Sequence, residues 1–142
     1  MRPDAQVVLV DGVRRPVSQA ISALDRGFLL GDACFEVVRA YGGVPFRLDA
    51  HFDRLERAAR QLGFTDVPDR RCLGDDVRSA LGVLEAACGR VDAYLRIVLT
   101  RGDGPGLVPP VSPARRVVTV LPLTKPPETL YTAGIAATVV AS

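Results

Sequence analysis

Short runs rich in valine and other β-forming residues, separated by turn residues, fill the first part of the chain, a pattern typical of β-strands. The segment "QVVLVDGVRRPVS" contains two such runs, and the Asp-Gly pair at 11–12 between them predicts a hairpin turn. Residues 33–41, "ACFEVVRAY", predict another strand, which a Gly-Gly turn at 42–43 joins to a returning strand at 44–48. The pattern therefore favours antiparallel hairpins.

The apolar spacing then changes to that of two amphipathic helices. In the first helix the apolar residues recur every three or four positions, at Phe52, Leu55, Ala59 and Leu62. We expect Asp49 to cap the start of this helix and Gly63 to end it. A second helix is predicted over 70–88, with Gly89 at its end.

Two apolar strands follow these helices, within "DAYLRIVLTRG" and "ARRVVTVLPL". A Gly- and Pro-rich loop, "GDGPGLVPPVSP", lies between them, and the Pro-bearing segment "TKPPETLYTAG" predicts a connector. The final segment, "IAATVVAS", starts a further strand that stops in mid-pattern at Ser142. This order of elements predicts an α+β fold with a mostly antiparallel sheet and two main helices, as one lobe of a longer protein.

Glycines mark two further segments. Gly27 and Gly31 interrupt an apolar run, so we expect a loop or a close backbone approach over 25–32. Neither "GFLLGD" nor "GDGPG" is a nucleotide-binding motif, because the first lacks the dinucleotide fingerprint and the second has no GK[ST] ending.

Composition excludes several classes of function. Of the 142 residues, 48% are hydrophobic and 24% are charged, which is ordinary for a globular protein and sufficient for one core. The net charge is +2 with the arginines dispersed, so a nucleic-acid or membrane-surface role has little support. Among 18 basic residues Lys125 alone is lysine, which leaves one candidate for amine chemistry. Codon bias explains the excess of arginine as well as any function does.

The few cysteines and the single histidine also limit the kinds of site that the chain can form. Cys34, Cys72 and Cys88 form no CxxC pair and are interpreted as small buried hydrophobic residues in a reducing cytoplasm. His51 is the sole histidine, so no metal site is predicted. The opening "MRPDAQ" has no signal-peptide pattern and no segment is apolar enough to span a bilayer, so we expect a cytoplasmic protein.

Arginines are the main candidates for chemistry. Arg54 lies one helical turn after His51, and a guanidinium there suits bidentate capture of phosphate or carboxylate. Arg39 shares a strand face with Phe35 and Val37, an unusual neighbour for residues that only pack. Each arginine also fits a plainer interpretation, as a solvated helix residue or a charge at a sheet edge, and the same holds for Arg96 and Arg101 on either side of "IVLT".

The run "DRGFLLGDACFEVVRAYGGVPFRLDAHFDRLERAARQLGF" resembles the N-terminal hallmark of class IV (fold type IV) pyridoxal-phosphate enzymes. This family contains branched-chain and D-amino-acid aminotransferases, (R)-selective amine transaminases and 4-amino-4-deoxychorismate lyases. The similarity extends in order from the opening hairpin through D-R-G-x-x-x-G-D, F-E-x-x-R and H-x-x-R-L to "VLTRG". It implies a cofactor, pyridoxal 5'-phosphate, and a site shared between a small and a large domain.

The resemblance assigns roles to particular residues. Arg54 stands where the family binds the cofactor phosphate, and Phe35 matches a residue that lines the substrate pocket. Three arginines match subgroup-dependent substrate positions: Arg39 and Arg96 resemble positions of branched-chain members, and Arg101 resembles a carboxylate-binding arginine of the D-amino-acid subgroup.

The resemblance also implies missing parts. The lysine that forms a Schiff base with the cofactor is expected beyond Ser142, and Lys125 lies in the connector outside any lysine motif of the family. Residues 1–122 are therefore expected to be the small N-terminal domain, and 123–142 a connector with the first strand of an absent large domain.

Three functions follow from the resemblance. The first is an aminotransferase acting on an amino acid or related amine, as a homodimer of the complete enzyme with a small amino or keto acid as substrate. The second is lysis of aminodeoxychorismate to p-aminobenzoate on the same scaffold. The third is a non-catalytic lobe that serves as a binding or assembly module, because the lysine is lacking.

Overall fold

Six antiparallel strands form one sheet in the computed structural model, which describes residues 5–106 and 113–140. The strands are β1 Val7–Val10, β2 Val13–Arg15, β3 Ala33–Tyr41, β4 Val44–Pro45, β5 Ala93–Thr100 and β6 Arg115–Pro122. The helices are α1 Arg26–Leu30, α2 Leu48–Gln61, α3 Arg70–Cys88 and α4 Glu128–Ala133. The strand order is β2-β1-β6-β5-β3-β4. The predicted α+β fold is confirmed.

Helices α2 and α3 cover one face of this sheet and form the main core with it. Along β3 the side chains alternate, so that Cys34, Val38 and Ala40 are buried under the helices. The core continues through the fully buried residues Leu55, Leu73, Val77, Leu95, Ile97 and Val118. Each of these side chains contributes about 1.5 to 3 kcal/mol through burial, which fixes both helices on the sheet.

The opposite face of the sheet is only partly covered. Residues 16–24 run over the β1 and β6 side, where Val8, Val10 and Val117 form a small second cluster with Ala20. At β3 this face is open, and Phe35 and Tyr41 are 53% and 48% exposed. The open part is therefore apolar surface available for contact with another group or domain.

The predicted hairpin turns and α3 are confirmed. At the first turn, Asp11 and Gly12 both adopt positive φ, as a type I′ turn requires. Helix α3 begins after Asp69, whose carboxylate accepts a hydrogen bond from the Arg71 N–H, and Gly89 caps its end.

The start of α2 differs from the prediction. Asp49 is not the N-cap but lies within the first turn, and Arg47 caps the helix with φ 50° and no side-chain hydrogen bond. This left-handed residue turns the chain into the helix early, so β4 ends at Pro45 instead of continuing to Leu48.

Four other expectations also require correction. The connector contains α4, and the segment 25–32 contains the short helix α1 and not only a loop. The alternative expectation for this segment, a close backbone approach, is confirmed at Gly27, where an added Cβ would lie 2.9 Å from Thr100 Cγ2. Residues 134–140 form no strand, whereas 141–142 and most of the loop after Gly106 lie outside the described residues. Cys34 is buried as predicted, but Cys72 and Cys88 are exposed. In the described part of the chain, no helix combines the length and apolar character needed to cross a membrane.

Candidate functional site

Helix α2 and strand β3 bring three charged or polar side chains together. His51 and Arg54 lie three residues apart on α2 and therefore project from one face. Glu36 on β3 accepts hydrogen bonds from Arg54 Nε at 3.0 Å and Arg54 Nη2 at 2.5 Å. His51 Nδ1 lies 2.7 Å from Glu36 Oε2. This bidentate pairing fixes the plane of the Arg54 guanidinium.

The surroundings of this cluster are asymmetric. Burial alone raises the pKa of the Glu36 carboxyl, but the hydrogen bonds from Arg54 and His51 outweigh it and hold that pKa below its ordinary value. The side chains of Glu36 and His51 are mostly buried, whereas that of Arg54 is 56% exposed. Within the described residues Arg54 Nη1 makes no hydrogen bond, so the outer edge of the guanidinium can receive an anion.

A cavity of about 400 Å³ lies on the open face of the sheet. Its wall is mainly apolar and is formed by α1, β3 and β5, with Phe28, Phe35, Val98 and Thr100 among the lining residues. Arg96 supplies a cation, and its guanidinium carbon lies 4.1 Å from the centre of the Phe35 ring. An apolar cavity with one oriented cation suits a small ligand that carries a carboxylate.

The cavity and the Arg54 cluster lie on opposite faces of the same strand. Phe35 and Glu36 are consecutive, so their side chains point to opposite sides of β3. Strand β4 pairs with β3 only at Ala40 and Tyr41, which leaves residues 33–38 as an open edge among the described strands. Both regions include residues of this strand segment, Phe35 on one face and Glu36 on the other.

The other predicted substrate arginines lie apart from this cavity. Arg39 faces Tyr94 in the β3–β5 register, four residues and about 13 Å along the strand from Phe35. Arg101 donates to Asp32 Oδ1 at 3.0 Å and to the Gly63 carbonyl at 3.0 Å, and its guanidinium stacks on Phe64. The structure thus brings Phe35 and Arg96 together and directs Arg101 toward the end of α2.

Lys125 is also remote from the cavity. Its Nζ lies 3.4 Å from Asp92 Oδ2, and 74% of its side chain is exposed. Asp92 precedes β5, whereas the cavity lies toward the other end of that strand, at Val98 and Thr100. Within the described ranges, Lys125 contacts neither the cavity nor the Arg54 cluster.

The sequence interpretation missed the acidic partners of Arg54, Thr100 and Arg101. These partners are Glu36 in the F-E-x-x-R string and Asp25 and Asp32 in D-R-G-x-x-x-G-D, and they lie 18, 75 and 69 residues away in the chain. The motif strings themselves were the available signal, since each contains an acidic residue next to a glycine or an aromatic residue.

The chain is similar to known aminotransferases and to a lyase, both in sequence and in fold. A family model described as amino-transferase class IV matches residues 33–142. D-alanine aminotransferase from Bacillus licheniformis is 34% identical over 100 residues, which are 66% of this chain and 34% of that protein. Two solved structures each cover 90% of this chain: 4-amino-4-deoxychorismate lyase from Pseudomonas aeruginosa (30% identity, TM-score 0.69) and a hypothetical aminotransferase from Mycobacterium tuberculosis in PLP-bound form (25%, 0.72). The chain spans less than half the length of each of these proteins.

Proposed function

The chain belongs to the class IV aminotransferase family, and on that premise we propose that it forms the N-terminal half of the site of a pyridoxal-phosphate-dependent aminotransferase. The substrate class is an amino acid or a related amine. Residues 1–122 are the small domain, and 123–142 lead into a larger domain. The greater length of the relatives supports this division, since this chain covers 42% and 44% of the two solved chains.

The proposal rests on the contacts and the exposure of the Arg54 guanidinium. Glu36 and His51 hold one side of its guanidinium, and the exposed outer edge has the charge and the free donors that a phosphate requires. The residues present therefore fit an anionic cofactor tail, with Arg54 as the residue that holds it. When bound, pyridoxal phosphate supplies the electron sink that amino-group transfer needs.

The cavity on the open face is the proposed substrate pocket. Phe35 provides an apolar wall, and Arg96, held over its ring, binds and orients the substrate carboxylate. Arg39, farther along the same face, is a second candidate for contact with an acidic or extended substrate. The apolar lining excludes water from the substrate side chain.

The amine that attaches the cofactor is assigned to the larger domain. Lys125 pairs with Asp92 away from the cavity, so it does not supply this amine in the arrangement seen here. The complete enzyme is proposed to be a cytoplasmic homodimer, in which exposed apolar residues of this lobe, Leu24 and Phe28 among them, are covered by other parts of the assembly. Size-exclusion chromatography of the complete enzyme is expected to show a dimer.

Aminodeoxychorismate lyase is the second candidate. The observation that favours it is the solved lyase from Pseudomonas aeruginosa, which is 30% identical over 90% of this chain. One experiment separates the two. The complete purified enzyme, loaded with pyridoxal phosphate, is offered amino acid and keto acid pairs, and separately 4-amino-4-deoxychorismate. Transfer of the amino group to the keto acid supports the first function, and release of p-aminobenzoate without transfer supports the second.

A further inference from the structure

We infer that Arg101 is a positioning residue that, with Asp32, holds α1 as one wall of the substrate cavity, and that it is not a ligand of the substrate carboxylate. The inference rests on the proposed function in one respect, that the cavity beside α1 is taken as the substrate pocket. The contacts that support it involve five residues, which we call the α1 clasp: Asp25, Arg26, Asp32, Thr100 and Arg101.

Each of the three nitrogens of the Arg101 guanidinium donates a hydrogen bond within the protein. Its Nε donates to Asp32 Oδ1, its Nη1 to the Gly63 carbonyl, and its Nη2 to the Leu62 carbonyl. These two carbonyls lie at the C-terminal end of α2, where backbone acceptors have no partner inside the helix. The guanidinium carbon also lies 4.3 Å from the centre of the Phe64 ring, and only 18% of the side chain is exposed. With every guanidinium nitrogen already paired and most of the side chain buried, Arg101 is poorly placed for the bidentate contact that a substrate carboxylate prefers.

Asp32 joins Arg101 to the end of α1. Gly31 caps α1 with φ 69°, and Asp32 follows directly. Asp32 Oδ2 accepts a hydrogen bond from Arg26 Nε at 3.0 Å, while Oδ1 accepts from Arg101. Arg26 is 7% exposed and also donates from Nη1 to the Gly106 carbonyl at 2.6 Å. One carboxylate thus ties the end of α1 to the end of α2 and to the segment that follows β5.

The start of α1 is fixed by the residue next to Arg101. Asp25 is fully buried, and its Oδ1 accepts from the N–H groups of Gly27 and Phe28. Its Oδ2 accepts from the Thr100 hydroxyl at 2.7 Å. Thr100 and Arg101 are consecutive at the end of β5, so this one position on the sheet holds both ends of the helix.

The clasp determines the shape of the cavity, because α1 contributes Gly27, Phe28 and Gly31 to its wall. A Cβ added at Gly27 would lie 2.9 Å from both Asp25 Oδ1 and Thr100 Cγ2, so α1 sits against β5 without spare room. Loosening the Asp32–Arg101 contact should therefore shift this wall and change which substrate side chains fit. Binding of the substrate α-carboxylate, which all amino acids share, should be affected less than binding of the side chain.

The test uses the complete enzyme with Asp32→Asn, Arg101→Gln and the double variant, and with Arg78→Gln, an exposed arginine of α3, as the control. The first readout is the ratio of kcat/KM for leucine and alanine, measured well below the melting temperature. We expect each single variant to change this ratio at least about threefold in the same direction, and Arg78→Gln to leave it unchanged, because a change of a few methylenes in a pocket is worth tenfold or more. A purely structural contribution to stability would not move the ratio.

A carboxylate-binding role gives the opposite pattern. Because leucine and alanine carry the same carboxylate, loss of such a ligand in Arg101→Gln would lower both kcat/KM values by one factor and leave their ratio unchanged. Asp32→Asn would then not reproduce the effect of Arg101→Gln. That result would overturn the inference.

The second readout is the melting temperature, which does not depend on activity. We expect the decrease in the double variant to be smaller than the sum of the two single decreases, because both single variants lose the same Asp32–Arg101 contact. Additive decreases would overturn the inference. If the wild-type enzyme transaminates neither amino acid, the proposed function fails, and this melting comparison still decides whether the clasp exists.

Discussion

Replacing Asp25 by alanine tests the buried centre of the α1 clasp most severely. The carboxylate accepts two backbone hydrogen bonds at the start of α1 and a third from the Thr100 hydroxyl, and it is fully buried. Loss of the N-cap costs about 1 kcal/mol. Loss of the acceptor for the buried Thr100 hydroxyl costs about 1 to 3 kcal/mol more. We therefore expect Asp25→Ala to reduce the free energy of unfolding by about 2 to 4 kcal/mol.

Asp69→Ala is the matched control. Asp69 is also the N-cap of a helix, but it is exposed and accepts one hydrogen bond, from the Arg71 N–H. Its replacement should cost only about 1 kcal/mol. Thermal unfolding of the complete protein measures both variants; a loss of 1 kcal/mol lowers the melting temperature by about 2 to 4 °C in a domain of roughly 150 to 250 residues and by less in a larger one.

A double-mutant cycle assigns the excess to one contact. In the Thr100→Val background the hydroxyl is already absent, so Asp25→Ala should there cost about 1 kcal/mol or slightly more, close to Asp69→Ala. Equal destabilisation by Asp25→Ala and Asp69→Ala, or additive effects of the Asp25 and Thr100 substitutions, would show that the buried hydrogen bond from Thr100 to Asp25 adds no stability of its own.

The remaining predictions concern Glu36 and two glycines. The pKa of Glu36 is lowered in the folded protein, so its charged form adds stability that is fully present above about pH 4.3, the ordinary value for glutamate, and is lost as the pH falls through the lowered value. The stability difference between wild type and Glu36→Gln should therefore shrink on acidification in urea titrations, and a constant difference would contradict this. Gly27→Ala should destabilise, because its Cβ would lie 2.9 Å from Thr100. Gly82 lies inside α3, and an added Cβ there would have no atom within 4 Å. Gly82→Ala should therefore stabilise the protein by about 1 kcal/mol. A loss of stability in Gly82→Ala would show that the space around each glycine does not determine the effect of the substitution.

Local periodicity explains why much of the fold could be predicted from the sequence. The alternation in "ACFEVVRAY" and the spacing of apolar residues over 70–88 depend on neighbours within one element, and the sheet and α3 formed as expected. The prediction of Asp49 as the N-cap was wrong because the helix begins after Arg47, whose backbone is left-handed. The pattern of side chains in the sequence does not indicate such a backbone conformation. Helix α1 was missed because it is only five residues long and its glycines resemble those of a loop.

The candidate site could be predicted less fully than the fold, because its side chains contact residues that are distant in the sequence. The position of Arg54 on α2 made it a candidate anion ligand, and the family resemblance assigned it to the cofactor phosphate, but its partner Glu36 lies 18 residues away. Arg101 was assigned to substrate by the same resemblance, whereas its contacts with Asp32 and Leu62 span 69 and 39 residues. Spacing along the chain does not encode which carboxylate or carbonyl a guanidinium will meet once the sheet has formed.

Arg54 is proposed to hold the phosphate of the cofactor, and the affinity of the enzyme for the phosphorylated and unphosphorylated forms of the cofactor decides whether it does. The complete enzyme, stripped of cofactor, is titrated with pyridoxal phosphate and with pyridoxal, as wild type, as Arg54→Gln and as Arg60→Gln. Arg60 lies on the same helix and its side chain is 73% exposed. Among the residues that the structure describes it makes only a long ion pair with Glu56, so it controls for loss of surface charge.

A charge-assisted hydrogen bond is worth about 1.5 to 3 kcal/mol, which corresponds to roughly 10- to 150-fold in affinity. We expect Arg54→Gln to weaken pyridoxal phosphate binding by that factor while pyridoxal binding changes less than about twofold, and Arg60→Gln to alter neither. Equal preference for the phosphorylated form in wild type and Arg54→Gln would contradict the account.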